Sequence, residues 1–538
     1  MSKDEKIAKL TSENQALRQQ KGLLEFQVAE LRRLIYSSKK ERFVPTPVDD
    51  QQGNLFVDVT PEEQPSDEVS TQSKASKSNN TSTKHTKKKK HPGRKPLPEH
   101  LPTEIKIIEP DVDTSGMKHI GYEESITLDY VLSELKKIIT RRNKYLVTEA
   151  TPLPLTNRAG TPLKEKQITK LEADESLIII SPIPSRPIPK SIAEAGLLAY
   201  IFIQKFIDHL PFYRQRQIFK RNYDWDLPSS TINDWFIACC TLLEPLYKKL
   251  EEQLFTSNAP SNYLQADESP IKVLESDEAK ATHQGYMWVY RSPCKDIVVF
   301  QYRKGRGAHG PKEMLATYEG YLQTDGYKVY DKIAKSKNGQ LLLVGCWAHA
   351  RRKFFEALKY DEERASYFLE KMKSLYLHER VTKDFTPEDR QKYRMAHIVE
   401  LMQQLHDWAA QEQYKVLPKT PIGKAIGYFL NQWEKLRRVL EDGRLELDNN
   451  RIENKIRPLA LGRKNYLFAG NHQSAQRIAM MYSFFATCSA HDVNPYKWLK
   501  DVLEKIAETN MSELEKLLPL NWVDPENENE HSNIDTTS

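Results

Sequence analysis

The stretch LELDNNRIENKIRPLALGRKNYLFAGN, residues 445–471, sets one acidic residue, Glu453, among Asn449, Asn450, Arg451, Asn454, Arg457, Arg463 and Lys464. Asp448, Asn449 and Asn450 offer capping side chains, so the segment after them reads as the start of a helix. On that helix Asn450, Glu453, Asn454 and Arg457 share a face, three or four residues apart. Such a face aims one carboxylate while amides and a guanidinium meet phosphate oxygens. Pro458 removes a helix hydrogen bond, so the helix is expected to be short and to end or kink near Arg457. A surface loop with satisfied amides is the competing reading.

Two further carboxylates stand in related settings upstream: Asp267 in YLQADES and Asp325 in GYLQTDGY. Both runs are short, mix aromatic and apolar residues and give way to polar turns, which places each Asp at or near a strand end. Carboxylates suit a hard cation such as Mg²⁺, and two such ions roughly 4 Å apart stabilise the attacking and leaving oxygens of a phosphodiester. No side-chain nucleophile is needed, because water or a 3′-hydroxyl attacks phosphorus. The residues alone do not single out these three. The chain has 74 acidic residues, most such residues are solvated, and Glu268, Asp277, Asp331, Glu446 and Asp448 compete for the same roles.

The surrounding text narrows the choice. QADESPIKVL, GYLQTDGYKVYD, GCWAHARRKFFEA, LPKTPIGKAIGYFLNQW and the 445–471 stretch closely resemble the catalytic region of bacterial insertion-element transposases, the insertion sequence sixty-six group of DDE transposases. The resemblance runs from about Gly93 to Trp498. It implies an α/β, RNase-H-like catalytic core and puts Asp267, Asp325 and Glu453 in the family's D, D and E positions, as catalytic residues and metal ligands. It also implies a Mg²⁺ or Mn²⁺ cofactor, two ions, with terminal inverted repeats and target DNA as substrates. Small accessory proteins of the same element are possible partners. Asp325 and Glu453 are 128 residues apart, more than such a core needs, so residues about 361–440, rich in Glu, Lys, Leu and Tyr, are expected to form a helical insertion.

The flanking regions fit a modular protein of 538 residues, too long for one ordinary core. Residues 1–43 repeat leucine every seven positions, at Leu10, Leu17, Leu24 and Leu31, with Asn14 and Lys21 as polar a positions. A leucine-zipper coiled coil and a homodimer or higher oligomer are expected from this pattern; an amphipathic helix packed on the protein's own body is the alternative. Residues 44–92 lose apolar content and run into KHTKKKKHPGRK at 84–95, a basic linker expected to be disordered, with salt-dependent phosphate contact or plain solvation as its role. Relatives carry a Cys-rich zinc module in the region 93–189, but residues 111–150 contain no cysteine here. A thiolate site is excluded there, and a small region held by packing is expected.

Residues 190–257 read as helices with a helix-turn-helix-like arrangement, in which Arg214 and Arg216 supply phosphate contacts; a plain helical connector is the alternative. Residues 258–500 form the expected catalytic domain, and 501–538 a C-terminal helix and tail. YLQAD, GYMWVYRS, DIVVFQYR, GYLQTDGY and LLLVGCW are five strand candidates, followed by the helix HARRKFFEALK. Cys346 and His349 form only half of a zinc site, and no zinc is expected. At that strand-to-helix junction His349, Arg351 and Arg352 are assigned to DNA, as are Asn450, Arg457, Arg463 and Lys464.

Composition bounds the rest. Net charge is +6, hydrophobic content 39% and charged content 29%, so the location of positive charge matters more than its sum. Five cysteines make no disulfide framework, no run reaches the length of a membrane span and the N-terminus lacks a signal-peptide pattern. A cytoplasmic, nucleoid-associated protein is expected, acting as a transposase. A nuclease or resolvase on the same fold, or a DNA-binding regulator or scaffold with an inactive domain, are the alternative functions.

Overall fold

The computed structural model describes residues 101–525, apart from 112–113, 115–116, 132–133, 147–167, 171–176, 182, 256–261 and 276–281. The expected coiled coil at 1–43 and the linker at 44–92 lie outside the described residues, as does Asp277.

The first part of the described chain is a five-stranded sheet: β1 (Thr103–Ile108), β2 (Lys118–Val131), β3 (Glu134–Leu146), β4 (Ile168–Lys170) and β5 (Leu177–Ile180). β3 is its spine: β2 pairs with it antiparallel, β1 parallel at residues 137–142 and β5 antiparallel at residues 144–146, and β4 pairs with β5. Leu128, Leu135, Ile138 and Ile179 are buried, and the Arg142 guanidinium donates to Ser181 O at 2.6 Å. Packing and hydrogen bonds join this sheet to the helices after it. Asp129 Oδ1 accepts from Leu197 N at 3.1 Å, at the start of α1 (Ala195–Phe206).

α2 (Phe212–Tyr223) and α3 (Ser229–Phe255) come next, joined by a turn in which Asp224 takes a left-handed conformation with φ 48°. The helix pair expected at 190–257 is therefore present, but α3 is a strut of 27 residues. Trp235, Phe236, Leu243, Leu246 and Leu250 on it are buried in the main apolar core.

The second sheet carries the candidate chemistry. Its strands are β6 (Tyr263–Val273), β7 (His283–Ser292), β8 (Ile297–Arg303), β9 (Gly320–Gln323) and β10 (Leu341–Val344), in the order β10-β9-β6-β7-β8. β6, β7 and β8 form an antiparallel meander; β9 and β10 run parallel to β6. All five candidate strands are present, and the parallel pair is reached through α4 (His309–Met314) and α5 (Lys328–Ser336). Side chains alternate across the sheet. Leu264, Ala266, Leu322, Tyr330 and Ile333 join one cluster of buried apolar residues, while Tyr263, Val344 and Trp347 join another.

That second cluster is the core of the helical segment. α6 (Trp347–Ala357) follows β10, then α7 (Glu362–Val381), α8 (Pro387–His397), α9 (Val399–Glu412) and α10 (Pro421–Arg437). Residues 361–440 thus consist of helices and the short connections between them. The segment docks where β10 ends: Gly345 N donates to Lys435 O at 2.9 Å and Trp347 Nε1 to Leu436 O at 3.1 Å. α11 (Asn450–Tyr466), α12 (His472–Ala490) and α13 (Pro495–Lys505) then return to the sheet. On α12, Ser483 and Thr487 bond the backbone of Phe300 and Val298 in β8.

One expectation fails here. α11 does not end near Arg457 but runs 17 residues through Pro458. Ile452, Ile456 and Leu459 are buried along one side of it, and this packing outweighs the hydrogen bond that proline removes.

Candidate active site

Asp267 and Asp325 are neighbours because of strand register. Gln265 of β6 pairs with Gln323 of β9, and each Asp lies two residues beyond its Gln, which carries it past the last paired residues of the parallel strands. Asp325 lies just beyond β9, as expected. Gly326, with φ 93°, turns the chain there, and Tyr327 N donates to Asp325 Oδ1 at 2.9 Å. Asp267 departs from expectation, since it is the fifth residue of an eleven-residue strand. β6 continues against β7, with Asp267 opposite Val289.

Glu453 arrives in the first turn of α11. The helix is not capped by the amide at its boundary: Asn449 makes no side-chain cap, and Asp448 Oδ1 instead accepts from Asn450 N at 3.1 Å. Asn449 is fully buried and neither of its side-chain polar atoms has a partner. His349 Nε2 lies 4.0 Å and Arg352 Nη2 3.9 Å from the Glu453 carboxylate.

Burial raises the Asp267 carboxyl well above the usual aspartate range, and the negative charges of Asp325, Glu268 and Glu453 push it further. His349 moves the other way, down to about 4. Burial is the main cause, Asp325 opposes it, and Arg352 and Lys353 add to it. Its Nδ1 is buried without a partner, so the ring is neutral near pH 7.

The described rival carboxylates each have a partner, although the second Glu268 oxygen is buried without one. Glu268 meets Arg306 at 2.6 Å; Asp331 meets Lys435 at 2.6 Å; Glu446 meets Arg451 at 3.2 Å; Asp448 accepts from Tyr376 Oη at 2.8 Å. Among the described residues no group of three or more His, Cys, Asp and Glu side chains closes into a metal-binding set. The three carboxylates are mutually repelling neighbours rather than a finished cage. An all-oxygen donor set of this kind, half-buried and built from carboxylates, fits a hard divalent cation.

The basic candidates divide by what they touch. Arg351 and Arg352 are half-exposed on α6, and Asn450, Arg457 and Lys464 are exposed on α11. Arg463 instead donates to Pro270 O, tying α11 to β6. Arg216 is bound to Leu227 O at 2.5 Å, and Arg214, exposed on α2, reaches Asn465 Oδ1 at 3.2 Å.

Sequence reading missed the layer beneath the carboxylates. Gln265, Gln323, Tyr263 and Arg291 are buried together with part of Glu446 in a connected polar cluster. Its signal was the pentapeptide Tyr-Leu-Gln-x-Asp, which occurs at 263–267 and again at 321–325.

Comparison with known proteins finds three family models that match this chain. A family model described as "Transposase IS66 family" matches residues 190–477, one described as "IS66 C-terminal element" matches 483–520, and one described as "Transposase C of IS166 homeodomain" matches 23–105. The chain belongs to the IS66 transposase family. Two similar proteins come from Sinorhizobium fredii. Uncharacterized protein y4jD is 32% identical over 445 residues, covering 79% of this chain and 81% of that protein. Uncharacterized protein y4hP is 29% identical over 486 residues, covering 85% and 81%. Membership implies a transposase role and DNA as a partner. No helix among the described residues is long and apolar enough to cross a membrane.

Proposed function

We propose that the chain cleaves DNA strands at the ends of an insertion element and joins the freed ends to target DNA, using Asp267, Asp325 and Glu453 on an RNase-H-like domain. The observation that carries this reading is the strand register that sets Gln265 against Gln323 and so makes Asp267 and Asp325 neighbours, with the carboxylates of Glu268 and, from the first turn of α11, Glu453 near enough to act on Asp267. Of these neighbours Glu268 is neutralised by Arg306, and the other two occupy the remaining D and E positions. The strand order β10-β9-β6-β7-β8, three antiparallel strands followed by two parallel ones, supports the RNase-H-like assignment.

Asp267, Asp325 and Glu453 would hold Mg²⁺ or Mn²⁺, which supplies Lewis-acid charge at the phosphoryl oxygens and a more acidic bound water. The chain's own residues align the phosphodiester. Arg351, Arg352, Asn450, Arg457 and Lys464 meet backbone phosphates, and neutral His349 donates a hydrogen bond beside Glu453. In hydrolysis a water oxygen bonds to phosphorus and the P–O3′ bond breaks, leaving a 3′-hydroxyl. In transfer that hydroxyl attacks a target phosphodiester, forming one P–O bond and releasing another 3′ oxygen. In this reading the N-terminal heptads pair two chains, the basic linker adds nonspecific DNA affinity, and the protein acts at the nucleoid, with accessory proteins of the element as possible partners.

The test is a Mg²⁺-dependent cleavage and strand-transfer assay on a labelled duplex bearing the element end, with wild type beside Asp325→Ala. Joined products from wild type, lost in the variant while DNA binding persists, are expected. Cleavage without joining would make the protein a nuclease or resolvase. Metal-dependent cleavage that survives in Asp325→Ala would remove the triad.

A further inference from the structure

Beneath the carboxylates, two strands and the segment leading into α11 meet in one buried amide cluster. Gln265 Nε2 donates to Gln323 Oε1 and to Glu446 Oε2, both at 2.9 Å. Gln323 Nε2 donates to Glu446 O at 2.7 Å and Gly345 O at 3.2 Å. Tyr263 Oη donates to Gln323 Oε1 at 2.6 Å and accepts from Glu446 N at 3.2 Å. Arg291 Nη1 donates to Gln265 Oε1 at 2.9 Å, and its Nη2 pairs with Asp296 at 2.6 Å. Gln265 and Gln323 are 0% exposed, Tyr263 and Arg291 2%.

The placement gives the cluster a mechanical role. Each glutamine lies two residues before a site aspartate, Gln265 on the same face of β6 as Asp267 and Gln323 as the last residue of β9 before the turn that carries Asp325, and Glu446 lies four residues before α11 begins. One set of hydrogen bonds therefore holds both strand carboxylates and the segment that delivers the helix carboxylate. A buried amide left without partners costs about 1–3 kcal/mol, so the cluster tends to hold as a unit, and carboxylates that share a cation must stay within about 0.5 Å of the productive geometry.

We propose that Gln265 and Gln323 are positioning residues for the catalytic carboxylates, acting through Glu446 to hold β6, β9 and the approach to α11 in register. This rests on the triad reading above.

The test uses the full chain and two readouts: cleavage of the element-end duplex as a function of Mg²⁺ concentration, and the rise in Tm that Mg²⁺ brings without DNA. The variants are Gln265→Met and Gln323→Met, with Asp267→Asn as reference. The expected result is a Mg²⁺ midpoint raised about tenfold in both readouts, with DNA affinity unchanged and part of the loss recovered in Mn²⁺. A loss that is purely structural lowers Tm at every Mg²⁺ concentration and leaves the midpoint alone, which would overturn the proposal. Should the Met variants not fold, Tyr263→Phe removes a single hydroxyl from the same cluster; a folded Tyr263→Phe with an unmoved midpoint overturns it equally. If Asp267→Asn keeps both wild-type cleavage and the Mg²⁺ response, the triad reading itself fails. If Asp267→Asn loses them while the Gln variants match wild type, only the positioning role fails.

Discussion

Asp267 carries a charge in a place that resists it, and this makes a prediction about stability. A carboxyl whose folded pKa lies above its unfolded value binds more protons in the fold than in the unfolded chain, so stability falls as pH rises from the ordinary aspartate range, near 4, toward the raised value. Asp267→Asn removes that slope. Without divalent cations the variant is expected to melt about one degree above wild type at pH 7, corresponding to roughly 1 kcal/mol for a chain of this size, with the gap closing as pH approaches 4. Mg²⁺ should then raise the Tm of wild type far more than that of the variant. Differential scanning calorimetry at pH 4 to 8, with and without Mg²⁺, measures both, and a variant less stable than wild type at pH 7 would contradict the site's electrostatics. His349 contributes with the opposite sign. Its folded value of about 4 lies below the usual 6.5, so the stability it provides is lost as pH falls through that interval.

At the scale of elements, the loop that delivers α11 depends on a close approach to the helical segment. Gly443 sits so tightly against α8 that an added Cβ would collide with the backbone carbonyl of Pro387 and lie 3.0 Å from Gln391 N. Both obstacles are backbone, so the strain cannot relax by side-chain rotation. Gly443→Ala is expected to cost roughly 2 kcal/mol or more and to lower cleavage by displacing the 444–449 segment. Gly427, inside α10, is the control: a Cβ there meets nothing within 4 Å, and Gly427→Ala should stabilise by about 0.5–1 kcal/mol. Urea denaturation of the two variants tests both signs.

The same scale explains what sequence reading could reach. The five strands are visible because alternation and aromatic content mark them locally, and the insertion because the stretch between Asp325 and Glu453 is longer than a core needs and rich in Glu, Lys, Leu and Tyr. Asp267 was expected near a strand end because nothing local says that β6 outlasts its pairing with β9. Pro458 was expected to stop α11 because the burial of Ile452, Ile456 and Leu459 is a tertiary fact. The glutamine cluster joins residues up to 183 positions apart, and only the repeated pentapeptide hinted at it.

For the whole molecule, the modest net charge of +6 makes the disposition of each cation decisive, and the fold sorts cations that look alike in sequence. Arg216 and Arg463 are spent on backbone carbonyls, holding α2 to the turn before α3 and α11 to β6. Lys464 is exposed on α11, the helix that carries Glu453. Each lysine or arginine that neutralises a phosphate releases counterions, so log K for duplex binding falls against log salt with a slope of about −0.9 per contact. Lys464→Ala is therefore expected to weaken DNA binding across sequences and reduce the slope by about 1. Arg216→Ala should leave the slope unchanged and lower Tm instead, because the carbonyl of Leu227 loses its charged donor. Fluorescence anisotropy on a duplex of fixed length, titrated from 50 to 300 mM KCl, separates the two. An unchanged slope for Lys464→Ala would move the DNA off this face of α11, whereas a reduced slope for Arg216→Ala would mean that its guanidinium leaves Leu227 when DNA binds.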